Sequence, residues 1–174
     1  MIEIKFVENS LIDLPIIISI LSPLAVGLLT FLLAKRRYTY EKLLDKKLVV
    51  LTEIYRMVIP LEVELNKYIL VKGHGLPESK REEIKNAYDR FFELQNYFWE
   101  NEIILDEDSA QEIQSIINLS NEILANLNSS IVSQEVGANK DSYEQWNKSY
   151  LLWKDKLPEA KRHLRIDFKE TIEK

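Results

Sequence analysis

The sequence has no cysteine and is poor in glycine, proline and histidine. Without cysteine the chain forms no disulfide and no thiolate metal site, and it has no thiol nucleophile. Only four glycines and five prolines occur in 174 residues, so long stretches are free of helix breakers, which favours helices over turn-rich β structure. We therefore expect an all-α protein without covalent bracing.

Motifs for catalysis and cofactor binding are also missing. The sequence contains no P-loop, no Gly-x-Ser-x-Gly and no His-Glu-x-x-His, the signatures of phosphate-binding loops, hydrolase nucleophiles and zinc peptidases. The acidic run 106–108 resembles the start of a calcium loop, but Gln111 stands where an EF-hand needs glycine. We predict no enzymatic activity, no cofactor and no metal site.

One long stretch contains no charge. Residues 14–34 hold no acidic or basic side chain, and a Lys-Arg-Arg cluster follows them. These twenty-one residues would extend about 31 Å as a helix, close to the thickness of the hydrocarbon core of a bilayer. The acidic first thirteen residues and the poor cleavage site near Ala34 are untypical of a secretory signal. We predict a transmembrane helix over 14–34; a cleaved signal, a buried core helix and a re-entrant hairpin turning at Pro23 are the alternatives.

Charge is distributed unevenly on the two sides of this segment. Residues 1–13 carry three acids and one base, and residues 35–47 carry six bases and two acids. The positive-inside rule then places the tail 1–13 outside the cell and the C-terminal part in the cytoplasm of a bacterium, with the chain in the inner membrane. Residues 48–174 have a net charge of −7, so we expect no nucleic-acid partner, because nucleic acids are bound mainly through cationic side chains.

The remainder of the chain shows helical periodicity. Apolar residues recur at steps of three and four from residue 40 to residue 71, and again in three later segments. Capping boxes at Ser79 with Glu82, Ser109 with Glu112 and Asp141 with Glu144 predict the starts of these segments. Pro60 and Pro158 are expected to bend or end their helices. A glycine-rich loop is predicted at 72–77. We predict a bundle of about four helices over 48–174, after a basic juxtamembrane segment at 35–47.

Two features of the apolar and basic segments are candidates for association. Small residues allow helix backbones to approach each other in a membrane, and five of them share one face of the predicted span: Ser19, Pro23, Gly27, Thr30 and Ala34. They predict a homo-oligomer; the alternative is that they reflect only the usual composition of a single span. The bases Lys35, Arg36 and Arg37 are candidates for binding anionic lipid head groups, or they only set the topology.

Aromatic residues form a candidate partner surface. Tyr, Phe and Trp follow one another at 97–99, and aromatic residues recur along one helix face from Tyr143 to Trp153. Tryptophan and tyrosine are enriched at protein interfaces, although packing into the core explains the same spacing. The residues we single out as a candidate partner surface are Tyr97, Trp99, Trp146 and Trp153.

These features together predict a membrane-tethered adaptor or regulatory subunit. Its partners would be membrane lipid and another protein or a second copy of itself. Two alternatives belong to other classes. One is an oligomeric membrane-perturbing effector of the antiviral-defence or toxin type, suggested by the proline within the span. The other, weaker alternative is a receptor that holds a small molecule between its helices.

Overall fold

The computed structural model describes residues 14–70 and 77–173. Its α-helices are α1 Leu14–Leu70, α2 Pro77–Asn101, α3 Glu107–Glu135, α4 Asn139–Leu151 and α5 Leu157–Glu173. A 3₁₀ turn at Glu102–Ile104 precedes α3, and a π-helical segment at Leu152–Lys156 joins α4 to α5. No strand occurs in the two described ranges, so the all-α prediction is confirmed there. The predicted tail 1–13 and the predicted loop, apart from Pro77, lie outside the described residues.

The chain divides into two compact units between Leu43 and Leu44. In the first unit the described side chains run from Leu21 to Leu43, and every one of them is exposed. Within the described residues, no helix has a stretch that is long, apolar and charge-poor enough to qualify as a membrane span. The predicted transmembrane helix therefore stays a prediction. The second unit is the helical bundle, which begins four residues before the predicted start at residue 48.

Helix α3 lies in the middle of the bundle and packs against α2, α4 and α5. Its predicted stripe is buried at every position, and it consists of Ile113, Ile116, Ile117, Ser120, Ile123, Leu124, Leu127 and Ile131. Helix α1 adds a second buried row of Leu51, Ile54, Val58, Leu61, Leu65 and Ile69, and α2 adds Ile84, Ala87, Phe91, Leu94 and Phe98. Each large apolar side chain buried in this way stabilises the fold by about 1.5–3 kcal/mol.

Contacts between distant residues give the helix directions. Lys47, at the first turn of the bundle part of α1, bonds to Asp106 before α3 and to Thr171 near the end of α5. At the other end, the carbonyl of Ile69 accepts a hydrogen bond from Trp146 in the middle of α4. The bundle part of α1 and α3 therefore run in one direction, and the α4–α5 stretch runs in the other. Since α2 returns from the end of α1 to the start of α3, the bundle is up-down-up-down.

Small serines line the contact between α3 and α4. Ser130 Oγ donates to the carbonyl of Ser142 at 2.8 Å, and Ser149 Oγ donates to the carbonyl of Ile123 at 3.1 Å. All three serines are buried. The hydroxyls of Ser130 and Ser149 bond to backbone oxygens of the opposite helix, and Ser142 Oγ lies 3.1 Å from Ser130 Oγ. Because serine is small, it allows close approach of the two helices, and its hydrogen bonds offset the cost of burying the hydroxyl.

The predicted helix starts are wrong by two or three residues. Helix α3 begins at Glu107, and its N-cap is Asp106, whose side chain accepts a hydrogen bond from the Ser109 amide. A carboxylate at this position satisfies a free amide and interacts favourably with the helix dipole. Ser109, the predicted cap, lies inside the helix. The other two predicted caps, Asp141 and Ser79, also lie inside their helices, since α4 begins at Asn139 and α2 begins at Pro77.

Three prolines lie within continuous helical structure. Helix α1 runs without interruption through Pro23 and Pro60. Of the predicted bend or end at Pro60, the end is therefore wrong, and so is the alternative of a hairpin at Pro23. Pro158 follows the π-helical segment, in which the Leu157 amide donates to the Leu152 carbonyl five residues earlier. Because proline has no amide hydrogen to offer, this wider turn lets the chain stay helical across Pro158, so the helix does not end there.

Candidate interaction surfaces

The small-residue face of the first unit is open. Pro23, Gly27, Thr30 and Ala34 are all exposed, whereas the side chain of Ser19 lies outside those described. A β-carbon placed on Gly27 would meet no atom within 4 Å, so no contact within the chain requires glycine there. Thr30 Oγ1 donates to the Val26 carbonyl at 2.8 Å. Its proton is thus used within its own helix, and only the hydroxyl oxygen remains to bond a second helix.

The basic cluster after this face is only partly neutralised. Arg37 Nε pairs with Glu41 Oε1 at 2.8 Å, and both side chains are exposed. Lys42 Nζ lies 4.7 Å from the centre of the Tyr38 ring, in a cation–π contact. Lys35 and Arg36 make no ion pair with any described residue. These two are therefore the charges that remain to interact with an anionic surface.

A polar network joins three helices at one end of the bundle. Lys47 is 8% exposed, and its ammonium donates to Asp106 Oδ2 and, at 3.0 Å, to Thr171 Oγ1. Ser109 Oγ donates to Asp167 Oδ2 at 2.6 Å. The network thus connects α1, the start of α3 and the end of α5. Lys47 was expected in the basic juxtamembrane segment, but its ammonium group lies inside the bundle and bonds to Asp106 and Thr171 there.

The electrostatics of this network centre on Asp106. Burial alone would raise the pKa of Asp106, but hydrogen bonds from Lys47 and Ser109, together with the Lys47 charge, lower it from 3.8 to about 2. Asp106 is therefore charged at neutral pH. It acts as both the counter-ion of a buried lysine and the N-cap of α3. We therefore assign this network a role in stabilising the fold and not in catalysis.

The aromatic stripe of α4 and the following π-helical segment is a row of four stacked or tilted rings. The centroids of successive rings are 5.9, 5.5 and 6.3 Å apart along Tyr143, Trp146, Tyr150 and Trp153. The last three pack, partly buried, against the core, and Tyr143 is exposed. Trp146 Nε1 donates to the Ile69 carbonyl at 3.3 Å, so this ring holds the last turn of α1. Trp146 and Trp153 are thus mainly packing residues.

The two other predicted surface aromatics lie on α2. In the run 97–99, Phe98 is buried, Tyr97 is half-buried and Trp99 is 57% exposed. Burial raises the pKa of Tyr97, and the nearby Glu53 carboxylate on α1 adds to this. Tyr97 therefore lies beside α1, and Trp99 extends outward. The four predicted residues do not share one element, since Trp146 and Trp153 belong to the α4–α5 stretch.

A polar groove between the start of α3 and α5 contains acidic groups and one histidine. Asp106, Asp108, Glu112, Asp167 and His163 line a cavity of about 320 Å³, and His163 Nδ1 lies 3.6 Å from Glu112 Oε1. Over residues 14–70 and 77–173, no three His, Asp or Glu side chains are arranged to hold a metal ion.

No family model, curated protein or solved structure matches this sequence. Its function is therefore argued from the arrangement of its own residues.

Proposed function

We propose that the protein is a single-pass inner-membrane protein whose helical bundle is a cytoplasmic protein-interaction domain, acting as a membrane-tethered adaptor or regulatory subunit. One observation carries the proposal. The eight large apolar side chains between Leu21 and Leu33 are each 53% to 65% exposed. They cover about 220° of the helix circumference, and the remaining side is the uncharged small-residue face. A helix that is apolar all round is typical of a membrane span or of a deeply buried core helix.

The length of the charge-free sequence supports a span. The described apolar side chains from Leu21 to Ala34 extend about 21 Å along the helix, which is less than the ~30 Å hydrocarbon core of a bilayer. The sequence, however, contains no charge from residue 14 to residue 34, and the corresponding helix is about 31 Å long. The unpaired Lys35 and Arg36 then support a cytoplasmic bundle through the positive-inside rule.

The bundle supports an interaction role because large apolar side chains are exposed on its surface, outside the buried core. Trp99 on α2 is 57% exposed, and Ile103 in the following turn is 94% exposed. These residues lie four positions apart and next to the end of α2. Exposed tryptophan is enriched among residues that dominate protein interfaces. We therefore propose Trp99 as the central residue of the partner surface.

Crosslinking of the full-length chain in native membranes, followed by mass spectrometry, tests the proposal. We expect crosslinks to one partner, or to a second copy, in a fixed ratio. Trp99→Ser should reduce them strongly, whereas the neighbouring exposed Glu100→Gln should leave them unchanged. Membranes in which the chain has no stoichiometric partner, including itself, would refute the adaptor role.

A further inference from the structure

A pocket lies between α1 and α5 within the bundle. Leu51, Thr52 and Tyr55 line it from α1, and α5 contributes Leu164, Arg165 and Phe168. Its volume is about 290 Å³, close to the lower limit of ordinary small-molecule sites. The wall is formed mainly by aliphatic and aromatic groups, so the pocket is suited to an alkyl chain.

Arg165 is the only charged residue in the lining of this pocket. Two neighbouring charged residues of α5 have partners, because Lys161 pairs with Glu62 of α1 and Asp167 accepts from Ser109. Arg165 makes no ion pair with any residue in the described ranges. An exposed arginine without a counter-ion at an apolar pocket is complementary to a molecule with one anionic end and one apolar end.

The hydrogen-bonding groups of Thr52 and Arg165 further restrict which polar end the ligand can have. The proton of the Thr52 hydroxyl is donated to the Leu48 carbonyl at 2.7 Å, so Thr52 has only acceptor capacity left. The planar guanidinium offers a fork of N–H donors that matches a carboxylate with two parallel hydrogen bonds. No acidic side chain lines the pocket to attract a cation.

We propose that this pocket binds a medium-chain free fatty acid, with the alkyl chain between α1 and α5 and the carboxylate on Arg165. A volume of about 290 Å³ accommodates roughly ten methylene-sized groups, since a water of similar bulk takes ~30 Å³. All six lining residues belong to the bundle, so the inference holds whether or not the first unit lies in a membrane.

Chain length gives the first test of this assignment. Each methylene that leaves water strengthens binding about fourfold. Affinity should therefore rise about fourfold per carbon up to roughly ten carbons, and then stop rising when the pocket is full. An affinity that keeps rising to sixteen carbons would indicate partition into a larger apolar phase and would overturn the proposal.

Photolabelling locates the ligand on the full-length chain. The protein is held in phosphatidylcholine nanodiscs, labelled with a diazirine derivative of decanoic acid, and digested for mass spectrometry. We expect the label on peptides that contain residues 51–55 and 164–168, with decanoic acid competing about fivefold more strongly than decanol. Label only elsewhere, or equal competition by the alcohol, would contradict the proposed site.

Two variants separate charge recognition from pocket shape. Arg165→Gln should weaken binding of the acid about fivefold, as expected for a pair at an exposed site. Arg162→Gln, an exposed control on the same helix that also has no described ion pair, should have no effect. Thr52→Phe fills the pocket from an exposed position and should abolish labelling while the helical circular dichroism stays unchanged. Equal binding by Arg165→Gln and Arg162→Gln, or normal labelling of Thr52→Phe, would overturn the inference.

Discussion

The ion pair between Lys47 and Asp106 provides a sharp test of how the bundle is stabilised. Replacing Asp106 with asparagine removes the negative charge but keeps an N-cap, because asparagine caps helices about as well as aspartate. The variant therefore isolates the interaction with Lys47, whose ammonium is buried between α1, α3 and α5. We expect Asp106→Asn to be less stable than the original chain at neutral pH.

The magnitude follows from the pKa of Asp106. A decrease from 3.8 to about 2 corresponds to about 2.5 kcal/mol if it is converted fully into stability. The Asp106 side chain is 55% exposed, so solvent screening reduces this contribution, and we expect about 1 kcal/mol at pH 7. Because folding lowers the pKa, the charged form stabilises the fold above pH 4, and the contribution disappears as the pH falls from 4 to 2.

Denaturant unfolding of the full-length chain, followed by tryptophan fluorescence, measures this difference, since all three tryptophans lie in the bundle. The free energies of unfolding of Asp106→Asn and the original chain should differ by about 1 kcal/mol at pH 7 and converge near pH 2. Asp108→Asn, which alters an exposed acid in the same helical turn, should show a smaller difference. A loss that is equally large at pH 2, or no loss at pH 7, would refute the reasoning.

Three further outcomes are expected. Gly27→Ile should reduce self-association, measured by crosslinking in membranes, without affecting helicity, because a side chain at Gly27 meets no atom of its own chain; unchanged oligomers would remove the small-residue face as an interface. Leu124→Ala should destabilise the bundle by about 2–5 kcal/mol in the same unfolding assay, since Leu124 is fully buried. The control Leu151→Ala, at an exposed position, should reduce the free energy of unfolding much less. Similar losses for the two variants would contradict the assigned core. Trp99→Ala should leave the free energy of unfolding within about 0.5 kcal/mol of the original value, and a larger loss would make Trp99 a packing residue.

The helices were predictable because their periodicity is local. Apart from Ser120, the stripe of α3 consists of apolar residues at helical spacing. Every position of the stripe is buried, Ser120 included. The helix starts were less predictable, since both Asp106 and Ser109 are good caps and only the fold decides between them. In the fold, Asp106 also pairs with Lys47, which is 59 residues away in the sequence.

Polar contacts between distant residues could not be predicted. Glu62 interrupts the apolar row of α1 for no reason visible in the sequence, but in the fold it pairs with Lys161 of α5. The π-helical segment before Pro158 was also missed, because a proline in a helical pattern predicts a break and not a wider turn. The pocket beside Arg165 depends on the packing of α1 against α5 and has no local signal.

Partition of the full-length chain between membrane and supernatant tests the central proposal most directly. Cells that express the chain are lysed, and the membranes are washed with alkaline carbonate before detergent is added. We predict that the uncleaved chain stays with the membranes through the wash and is released only by detergent. An intact chain that remains in the supernatant without detergent would contradict the membrane-tethered role.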